Sequence, residues 1–474
     1  MVGDRESFFT IAIIGGGFSG ATLAAQLLRA GNQSVMVVLI EKTGCLGRGV
    51  AYSTQCEKHL LNVPAQNMSA FADDPDHFLR WARLHYDFDV QPGDFLPRRS
   101  YGQYVESLLQ EVREGHNAAI EWRRDEAVSV NPTSGRAEIS LRSGNRVMAD
   151  KVILALGNFP PGDPKLPGRQ ESSPRYLSNG WAEGALDQIA EDKSVLLIGS
   201  GLTSVDVAIS LRARKFEGKI QILSRHGLLP QEHKPHLPLM APWNDLRPRT
   251  ARGLLHLVRA QVREAQEHDT DWRTVIDSLR PITQQIWQSL PLREQRRFLR
   301  HLRSYWDVHR HRVAPEIGAL LASELGNCGI EVHAGRITEY CETPEHVEVI
   351  YRDRKKGEFR KLHVDRVINC TGPDVDCRRV TNALLKNLIK QKLVRPDPLF
   401  LGLDTAQSGA VINAYGIPSD FLYAVGPLRK GNLWETIAVP EIRVQVAELV
   451  SHLLSSLEQQ FFGSLARERP ATQV

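Results

Sequence analysis

Apolar runs alternate with glycine-rich turns at two places in this chain, and each place has the pattern of a strand, a tight turn and a helix. The first run covers residues 8–14 (FFTIAII) and is followed by closely spaced glycines and a helix pattern of small residues. The second covers residues 195–198 (VLLI) and is followed by two glycines and a similar helix pattern. This unit opens dinucleotide-binding folds, so the sequence predicts an α/β protein with two Rossmann-like dinucleotide-binding domains.

A third region lacks the strand pattern. From about residue 230 to residue 325 apolar residues repeat at helical spacing, for example at Leu254, Val258 and Val262. The stretch is too long to be a loop of a nucleotide-binding fold. We therefore expect a helical insertion over residues 230–325 that caps the substrate cleft.

The residues around the first glycine turn fit FAD. Gly15 allows the tight turn, Gly17 lets the backbone approach a pyrophosphate, and Gly20 lets the helix pack on the strand. The next strand ends in Glu41, 21 residues beyond Gly20, where a carboxylate can accept hydrogen bonds from a ribose 2′-hydroxyl. The candidate cofactor-binding residues of this unit and of the loops that return to it are Gly15, Gly17, Phe18, Ser19, Gly20, Glu41, Lys42, Arg48, Gly49, Asn62, Gly157, Gly372, Gly426 and Trp434.

The second glycine turn fits NADPH. Gly199, Gly201 and Ser204 occupy the glycine positions, and the strand of residues 220–223 leads to Arg225 with no carboxylate at the ribose position. Arg225 can bind a 2′-phosphate, which favours NADPH over NADH; a solvated loop charge is the alternative. The candidate NADPH-binding residues are Gly199, Gly201, Leu202, Thr203, Ser204 and Arg225.

Two short apolar strands that end in glycine suggest how the domains are connected. Residues 150–157 (DKVILALG) and 365–372 (DRVINCTG) resemble the strand that leaves the FAD domain in two-dinucleotide flavoproteins. We therefore expect a discontinuous FAD-binding domain of residues 1–165 and 365–474. An NAD(P)H-binding domain of residues 185–364 would be inserted between its two parts.

Length and composition agree with two domains and argue against several classes of protein. A chain of 474 residues exceeds the size at which one core keeps growing. The formal charge of +4, from 59 basic and 55 acidic residues, is too balanced to indicate a nucleic-acid partner. No apolar run approaches the ~20 residues that span a bilayer, so we expect no membrane segment and a cytoplasmic location. Six cysteines without CxxC or CxxxxC spacing predict neither a redox-active disulfide nor a metal site.

With these motifs in place, the chain resembles class B flavin-dependent monooxygenases and N-hydroxylases. It is similar along most of its length to bacterial FAD/NAD(P)-binding proteins that carry the segments LGRGVAYST, HLLNVPAQNMSAF and WDVHRHR. The resemblance implies that Asn62, followed by Pro64, Met68 and Phe71, is a catalytic amide near the flavin C4a edge or NADP. The alternative is that Asn62 is a turn residue before Pro64.

Three local features refine what the resemblance implies. The LGRG turn is expected over the pyrophosphate or the isoalloxazine ring, with a surface charge as the alternative for Arg48. The arginine-rich segment of residues 293–312 is either a solvated helix face or brings Arg310 and Arg312 to an anionic substrate or NADPH phosphate. The FxGxxxH fingerprint of classical members has no counterpart here. Its absence weakens the case for ketone oxygenation and for broad amine oxygenation. N-hydroxylases also lack this fingerprint, so the resemblance leaves hydroxylation of a polar nitrogen open.

The sequence therefore predicts an FAD-containing, NADPH-dependent monooxygenase or hydroxylase of a small polar metabolite, anionic or amine-bearing. By the resemblance, dioxygen would be the second substrate and a flavin C4a-hydroperoxide would transfer the oxygen, so the cofactor carries the difficult chemistry. Two alternatives stay open. One is an NADPH-dependent flavin reductase or dehydrogenase without oxygen transfer, and the other is a nucleotide-sensing flavoprotein without catalysis.

Overall fold

The computed structural model describes residues 8–32, 34–115, 119–236, 243 and 250–467. The strands are β1 (Phe9–Ile14), β2 (Val35–Ile40), β3 (Ile120–Arg123), β4 (Ala127–Thr133), β5 (Arg136–Leu141), β6 (Arg146–Ala149), β7 (Lys151–Leu154), β8 (Tyr176–Leu177), β9 (Val195–Ile198), β10 (Ile220–Ser224), β11 (Ile330–Glu342), β12 (Val347–Asp353), β13 (Phe359–Val364), β14 (Arg366–Asn369), β15 (Ala410–Ile412) and β16 (Pro418–Ala424). The helices are α1 (Phe18–Arg29), α2 (Gly49–Tyr52), α3 (His77–His85), α4 (Arg98–Gly115), α5 (Leu202–Ala213), α6 (Ala251–Glu267), α7 (Trp272–Ser278), α8 (Thr283–Ser289), α9 (Leu292–His301), α10 (Arg303–Arg310), α11 (Pro315–Gly326), α12 (Ala383–Lys390), α13 (Lys430–Leu433) and α14 (Val439–Arg467). None of the helices in the described ranges combines the length and apolar character that crossing a membrane requires.

The first sheet has the strand order β15-β16-β7-β1-β2-β3 and is parallel from β16 to β3. On one face, Ile11 and Ile13 pack in a core with helices α1, α4 and α14. On the other face, Ala12 packs with α12 and with the small antiparallel sheet of β4, β5 and β6. Burial on both faces explains why β1 appears in the sequence as an unbroken apolar run rather than an alternating one.

The second sheet has the order β13-β12-β11-β10-β9-β14-β8 and is parallel from β11 to β8. Helices α5 and α11 cover one face, where Val205 and Ile317 share a core with Val195 and Ile220. Strand β11 is long enough to leave the parallel part and continue into an antiparallel pairing with β12. The predicted α/β class with two Rossmann-like sheets is confirmed.

Two of the expected domain boundaries differ from the structure. Strand β14 lies in the second sheet, parallel to β9, although the sequence placed residues 365–474 in the first domain. Strand β8 pairs with β14 and also belongs to the second sheet, ahead of the expected start at residue 185. Both glycine units are completed by a short apolar strand that precedes a glycine, so the pattern alone did not show which sheet each strand joins. The first sheet does take a strand from the C-terminal part, because β16 pairs with β7.

The helical insertion is shorter than expected. Helices α6 to α10 lie between β10 and α11, and α6 packs on α7 and α9. All but the last residue of α11 falls inside the expected range of 230–325, but this helix packs on the second sheet and leads into β11. It is therefore the crossover helix between two parallel strands, which such a sheet requires.

Candidate functional site

The first glycine loop forms a backbone cradle between the ends of β1 and β7. Gly15 has a φ of +107°, and a Cβ there would lie 2.3 Å from the carbonyl oxygen of Ala155. A Cβ on Gly20 would lie 1.9 Å from the Gly15 carbonyl oxygen. Gly17 precedes α1 without a side-chain cap, and among the described residues a Cβ there would meet only Gly49, at 3.4 Å from its Cα and 3.9 Å from its N. The first N–H groups of α1 are thus available to an anion, and the cradle fits the pyrophosphate of FAD.

The Glu41 carboxylate is fixed beside this loop. Its Oε2 accepts a hydrogen bond from the Gly16 N–H (2.7 Å), and its Oε1 accepts one from the Thr43 N–H (2.7 Å). The neighbouring Lys42 is exposed. Glu41 therefore stands at the end of β2, next to the turn, where the sequence predicts the ribose of the cofactor.

Phe18 and Ser19 contribute mainly backbone to the loop, because their side chains are used elsewhere. The Phe18 ring is buried against Tyr52 and Tyr101, with ring centroids 6.3 Å and 6.0 Å away. A Cβ on Gly426, which has a φ of +75°, would lie 2.7 Å from the Ser19 Oγ. The loop that follows β16 therefore packs directly on the first turn of α1.

The LGRG turn also packs on the glycine loop. The Gly47 N–H donates to the Gly16 carbonyl oxygen at 2.7 Å. The Arg48 guanidinium donates through Nε and Nη2 to the two Glu106 carboxylate oxygens, each at 2.8 Å, and these hydrogen bonds raise the pKa of Arg48. Arg48 is thus held by α4, and its contact with a cofactor stays a prediction. Gly49 is the residue of the turn that faces Gly17.

Asn62 lies at the junction between the first domain and the segment after β10. It is half-buried, and its carbonyl oxygen accepts a hydrogen bond from His233 Nε2 at 3.0 Å. Burial, and then the positive charge of Arg312, lower the pKa of His233 to about 4. A neutral His233 ring therefore holds the Asn62 backbone near neutral pH. The role of the Asn62 amide at the flavin stays a prediction.

The second glycine loop repeats the geometry of the first. Gly199 has a φ of +111°, and a Cβ there would lie 2.4 Å from the carbonyl oxygen of Cys370. Gly201 precedes α5 without a side-chain cap, and a Cβ there would meet open space. Ser204 replaces the third glycine, and its buried Oγ donates to the Gly201 carbonyl oxygen at 2.8 Å. The cradle fits a second dinucleotide such as NADPH.

Four other candidate residues border the two loops. Leu202 and Thr203 form the first turn of α5 and are half-buried. Gly157 has a φ of +63° and Gly372 a φ of +85°, and a Cβ at either position would meet open space. Glycine is favoured at both positions because of the left-handed backbone conformation and not because of crowding.

Arg225 follows β10 and is exposed, and its contact with a 2′-phosphate stays a prediction. Burial, followed by the positive charges of Arg354 and Arg225, lowers the pKa of His226. The Nδ1 of His226 is buried and has no hydrogen-bond partner among the described residues. The Arg354 N–H donates to the Ala334 carbonyl oxygen at 2.8 Å, and Ala334 lies opposite Ser224 at the end of β10. Arg354, which the sequence did not suggest, is thus a second cation near the loop that carries Arg225.

A buried ion pair that the sequence did not reveal joins the two domains. Arg98, on α4, donates through Nη1 and Nη2 to the Asp206 carboxylate on α5 at 2.9 Å and 3.0 Å. The two side chains are only 9% and 8% exposed. His59 Nε2 lies 2.9 Å from the Asp206 carbonyl oxygen, and His59 Nδ1 lies 2.8 Å from the Thr54 hydroxyl. The one signal in the sequence was a carboxylate, Asp206, within an apolar helix pattern.

The C-terminal end of the arginine-rich segment of residues 293–312 lies inside the protein. Arg310 is buried and donates to Glu441 at 3.2 Å, and Arg312 is buried and pairs with Asp277. The solvated-face alternative does not describe these two arginines, because both are buried. Arg310 Nε and the Nε and Nη1 of Arg312 have no hydrogen-bond partner among the described residues, and their contact with an anionic substrate or a phosphate stays a prediction. Arg310, the last residue of α10, links that helix to α14, and Arg312, two residues later, links the chain to α7.

Trp434, expected at the cofactor, turns its ring toward the helical insertion. It stacks on Trp287 with ring centroids 5.0 Å apart and meets Phe298 edge-on at 5.2 Å. Beside these rings lies a cavity of about 780 Å³, bounded by helices α6 to α10 and lined mainly by apolar side chains. The residue thus connects the loop after β16 to a cavity that the sequence did not predict.

Comparison with known proteins agrees with this fold. Residues 12–159 match the model of an FAD-NAD(P)-binding family. The flavin-containing monooxygenase ustF1 of Aspergillus flavus is 26% identical over 212 residues. This alignment covers 42% of the present chain and 50% of that relative, so the chain spans about half the length of the relative. Solved structures of ornithine hydroxylase PvdA from Pseudomonas aeruginosa and of ornithine N-hydroxylase KtzI from Kutzneria sp. 744 give TM-scores of 0.63 and 0.62. Each alignment covers 95% of this chain and 99% of the other, at 17% and 13% identity, and the likeness establishes the fold.

Proposed function

We propose that this chain, in which residues 12–159 match an FAD-NAD(P)-binding family, is an FAD-containing, NADPH-dependent monooxygenase that hydroxylates a small molecule at an electron-rich atom such as nitrogen. The observation that carries the proposal is the pair of equivalent glycine cradles, at Gly15 and at Gly199, in one molecule. The fold of ornithine N-hydroxylase KtzI, whose structure contains reduced FAD, NADP⁺ and L-ornithine, supports it. A cytoplasmic location, which the scattered cysteines favour, is part of the same proposal.

The work is divided between the cofactors and the chain. FAD, when bound, supplies the redox chemistry, namely acceptance of a hydride from NADPH and activation of dioxygen. The chain has to bind and orient the two nucleotides and to shield the reacting atoms from water. The Gly17 and Gly201 turns present helix N-termini to the two pyrophosphates, Glu41 fixes a ribose, and Arg225 binds the 2′-phosphate. Asn62 supplies a neutral amide, which can donate a hydrogen bond without releasing a proton.

The buried contact between the domains supports the same function. Hydride transfer requires the two nucleotides to be held in a fixed relation, because the reacting atoms must approach closely. The Arg98–Asp206 pair and His59 fix α5, which follows the second glycine loop, to the start of α4 in the first domain. The NADPH-binding unit is thereby positioned against the FAD-binding unit.

One experiment separates this function from its alternatives. The purified protein is reconstituted with FAD, mixed with NADPH without oxygen, and then exposed to oxygen while the flavin absorbance is recorded. A monooxygenase is expected to bleach and then to reoxidise through a distinct, long-lived absorbance, with a gain of one oxygen in the substrate by mass spectrometry. Immediate reoxidation with release of hydrogen peroxide would instead identify a reductase, and failure to bleach would identify a sensor.

Replacing Arg225 with alanine is expected to change the choice of nucleotide. The affinity for NADPH should fall by about tenfold or more, since a charge-assisted contact with the 2′-phosphate is lost, while that for NADH should hardly change. The measurement is the rate of anaerobic flavin reduction at increasing concentrations of each nucleotide. Lys215→Gln, which removes an exposed charge from the same domain at the end of α5, serves as the control. Equal losses for NADPH and NADH in Arg225→Ala would show that Arg225 does not contact the phosphate.

A further inference from the structure

The cavity in the helical insertion is not explained by the two nucleotide-binding units. Its volume of about 780 Å³ lies in the range of sites that enclose a whole small ligand. Four of the eight tryptophans in the chain line it, namely Trp272, Trp287, Trp306 and Trp434. Protein interiors are normally close-packed, so an apolar space of this size between helices indicates a binding site for an apolar group.

The charged side chains that line the cavity in the described ranges are arginines. Arg259 and Arg263 lie one turn apart on α6, line the cavity and are exposed. None of the side chains that line it in the described part of the chain is acidic. Potentials at binding sites are complementary to those of their ligands, so these arginines favour a ligand with an anionic group.

The backbone at Trp434 is strained in a way that directs this side chain to the cavity. Its φ of +60° and ψ of −66° are those of a classic γ-turn, and the Glu435 N–H closes the turn on the Leu433 carbonyl oxygen at 2.7 Å. Such strain persists at sites where function requires it. The Trp434 side chain is 4% exposed, and its Nε1–H has no acceptor among the described residues. A ligand in the cavity could provide the missing acceptor.

The segment of residues 426–436 connects the cavity to the first glycine loop. At its start, Gly426 packs on Ser19, and its carbonyl oxygen accepts a hydrogen bond from the Thr436 hydroxyl at 2.9 Å. Near its end, the buried Glu435 carboxylate accepts a hydrogen bond from Trp306 Nε1 at 2.9 Å, inside the insertion. The wall of the cavity and the support of the FAD cradle are therefore parts of the same short loop.

We infer that this cavity is the substrate pocket and that the substrate is an anionic amphiphile. Its apolar body, of the size of an acyl chain or larger, packs against the four tryptophans, and its anionic group meets Arg259 and Arg263. That this ligand is a substrate rests on the proposed monooxygenase function, whereas the existence of the binding site does not. The sequence led to the expectation of a small polar metabolite, but such a molecule would leave most of the apolar wall without contacts.

Binding can be measured with defined probes on the FAD-loaded protein in the absence of NADPH. Decanoate and decylammonium, which have chains of the same length and opposite charge, are titrated below their micelle concentrations while tryptophan fluorescence is recorded. Decanoate is expected to change the fluorescence in a saturable way, because half of the tryptophans line the cavity. Decylammonium should bind about tenfold more weakly, since the charged arginines that line the cavity among the described residues, Arg259 and Arg263, are positive.

Three variants test the location. Val262→Phe places extra volume in the cavity and should weaken decanoate binding about tenfold or more. The double variant Arg259→Gln/Arg263→Gln should remove the preference for the anion. Arg252→Gln changes an exposed arginine of α6 that does not line the cavity, and it should bind like the wild type. An unchanged FAD content and circular dichroism spectrum show that each variant is folded.

The inference fails if decanoate leaves the fluorescence unchanged, if it binds Val262→Phe as tightly as the wild type, or if the cation binds as well as the anion. These results are separate from the test of the proposed function. Decanoate binding in a protein whose flavin NADPH cannot reduce would overturn the proposed function alone. Reduction of the flavin in a protein that does not bind decanoate would overturn the inference about the cavity alone.

Discussion

Replacing Gly17 with valine is expected to yield a folded protein that has lost FAD. The flavin content after purification should fall by about tenfold or more, which corresponds to at least ~1.4 kcal/mol of binding free energy. Among the described residues, a Cβ at Gly17 meets only the backbone of Gly49, with the nearest atom 3.4 Å away, so the fold can accept it. The rest of the valine side chain then occupies the space before the N-terminus of α1, where the pyrophosphate has to approach. Absorbance of the purified protein in the visible range measures the effect.

The second glycine loop supplies the matched control for this variant. Gly201 has the same position before α5 as Gly17 has before α1, and a Cβ there meets open space. Gly201→Val should therefore keep its FAD and lose anaerobic reduction by NADPH. If Gly17→Val retained its full flavin content, or if Gly201→Val lost its flavin, the assignment of the two cradles to FAD and NADPH would be wrong.

Removing one partner of the Arg98–Asp206 pair is expected to destabilise the protein strongly. Both side chains are almost completely buried at the contact between the domains. Asp206→Ala leaves the Arg98 guanidinium buried without its counter-charge, which typically costs about 3–5 kcal/mol. The measurement is the urea concentration at the midpoint of unfolding, and the rate of flavin reduction by NADPH should fall with it because α5 loses its attachment to α4.

Two further variants distinguish the effect of burial from that of charge. Arg80 and Asp74 form a similar bidentate pair, but Arg80 is 58% exposed, so Arg80→Ala should cost no more than about 1 kcal/mol. The double variant Arg98→Leu/Asp206→Leu leaves no buried charge unpaired and should recover much of the stability lost in Asp206→Ala. Equal effects of Asp206→Ala and Arg80→Ala would show that the buried pair does not hold the domains together.

The paired nucleotide units could be predicted because their signals are local. Each consists of a few consecutive residues whose conformation is set by glycine and by a strand buried on both faces. The structure shows how closely the units correspond. A Cβ on Gly15 would collide with the Ala155 carbonyl oxygen, and a Cβ on Gly199 would collide with that of Cys370. The same correspondence caused the boundary error at β14, since strands with equivalent positions in two repeated units have similar sequences.

The contacts of the candidate site outside the glycine loops could not be predicted. Arg98 and Asp206 are 108 positions apart, and their pairing depends on how two separately folded sheets meet. The direction of the Trp434 ring depends on a strained turn, which tryptophan rarely adopts and which no local sequence pattern indicates. The burial of Arg310 and Arg312 could not be predicted either, because their carboxylate partners, Glu441 and Asp277, are far from them along the chain.

The sequence by itself determined the fold class, the two nucleotide-binding turns and the different residues that follow them, because glycine conformation and apolar burial act over short stretches of chain. Only the tertiary structure decided which sheet β14 completes, how the domains are joined, and that helices α6 to α10 enclose an apolar cavity beside Trp434. These features arise from contacts between distant segments. Their free energies depend on packing and on desolvated charges, and neither is visible in the order of residues along the chain.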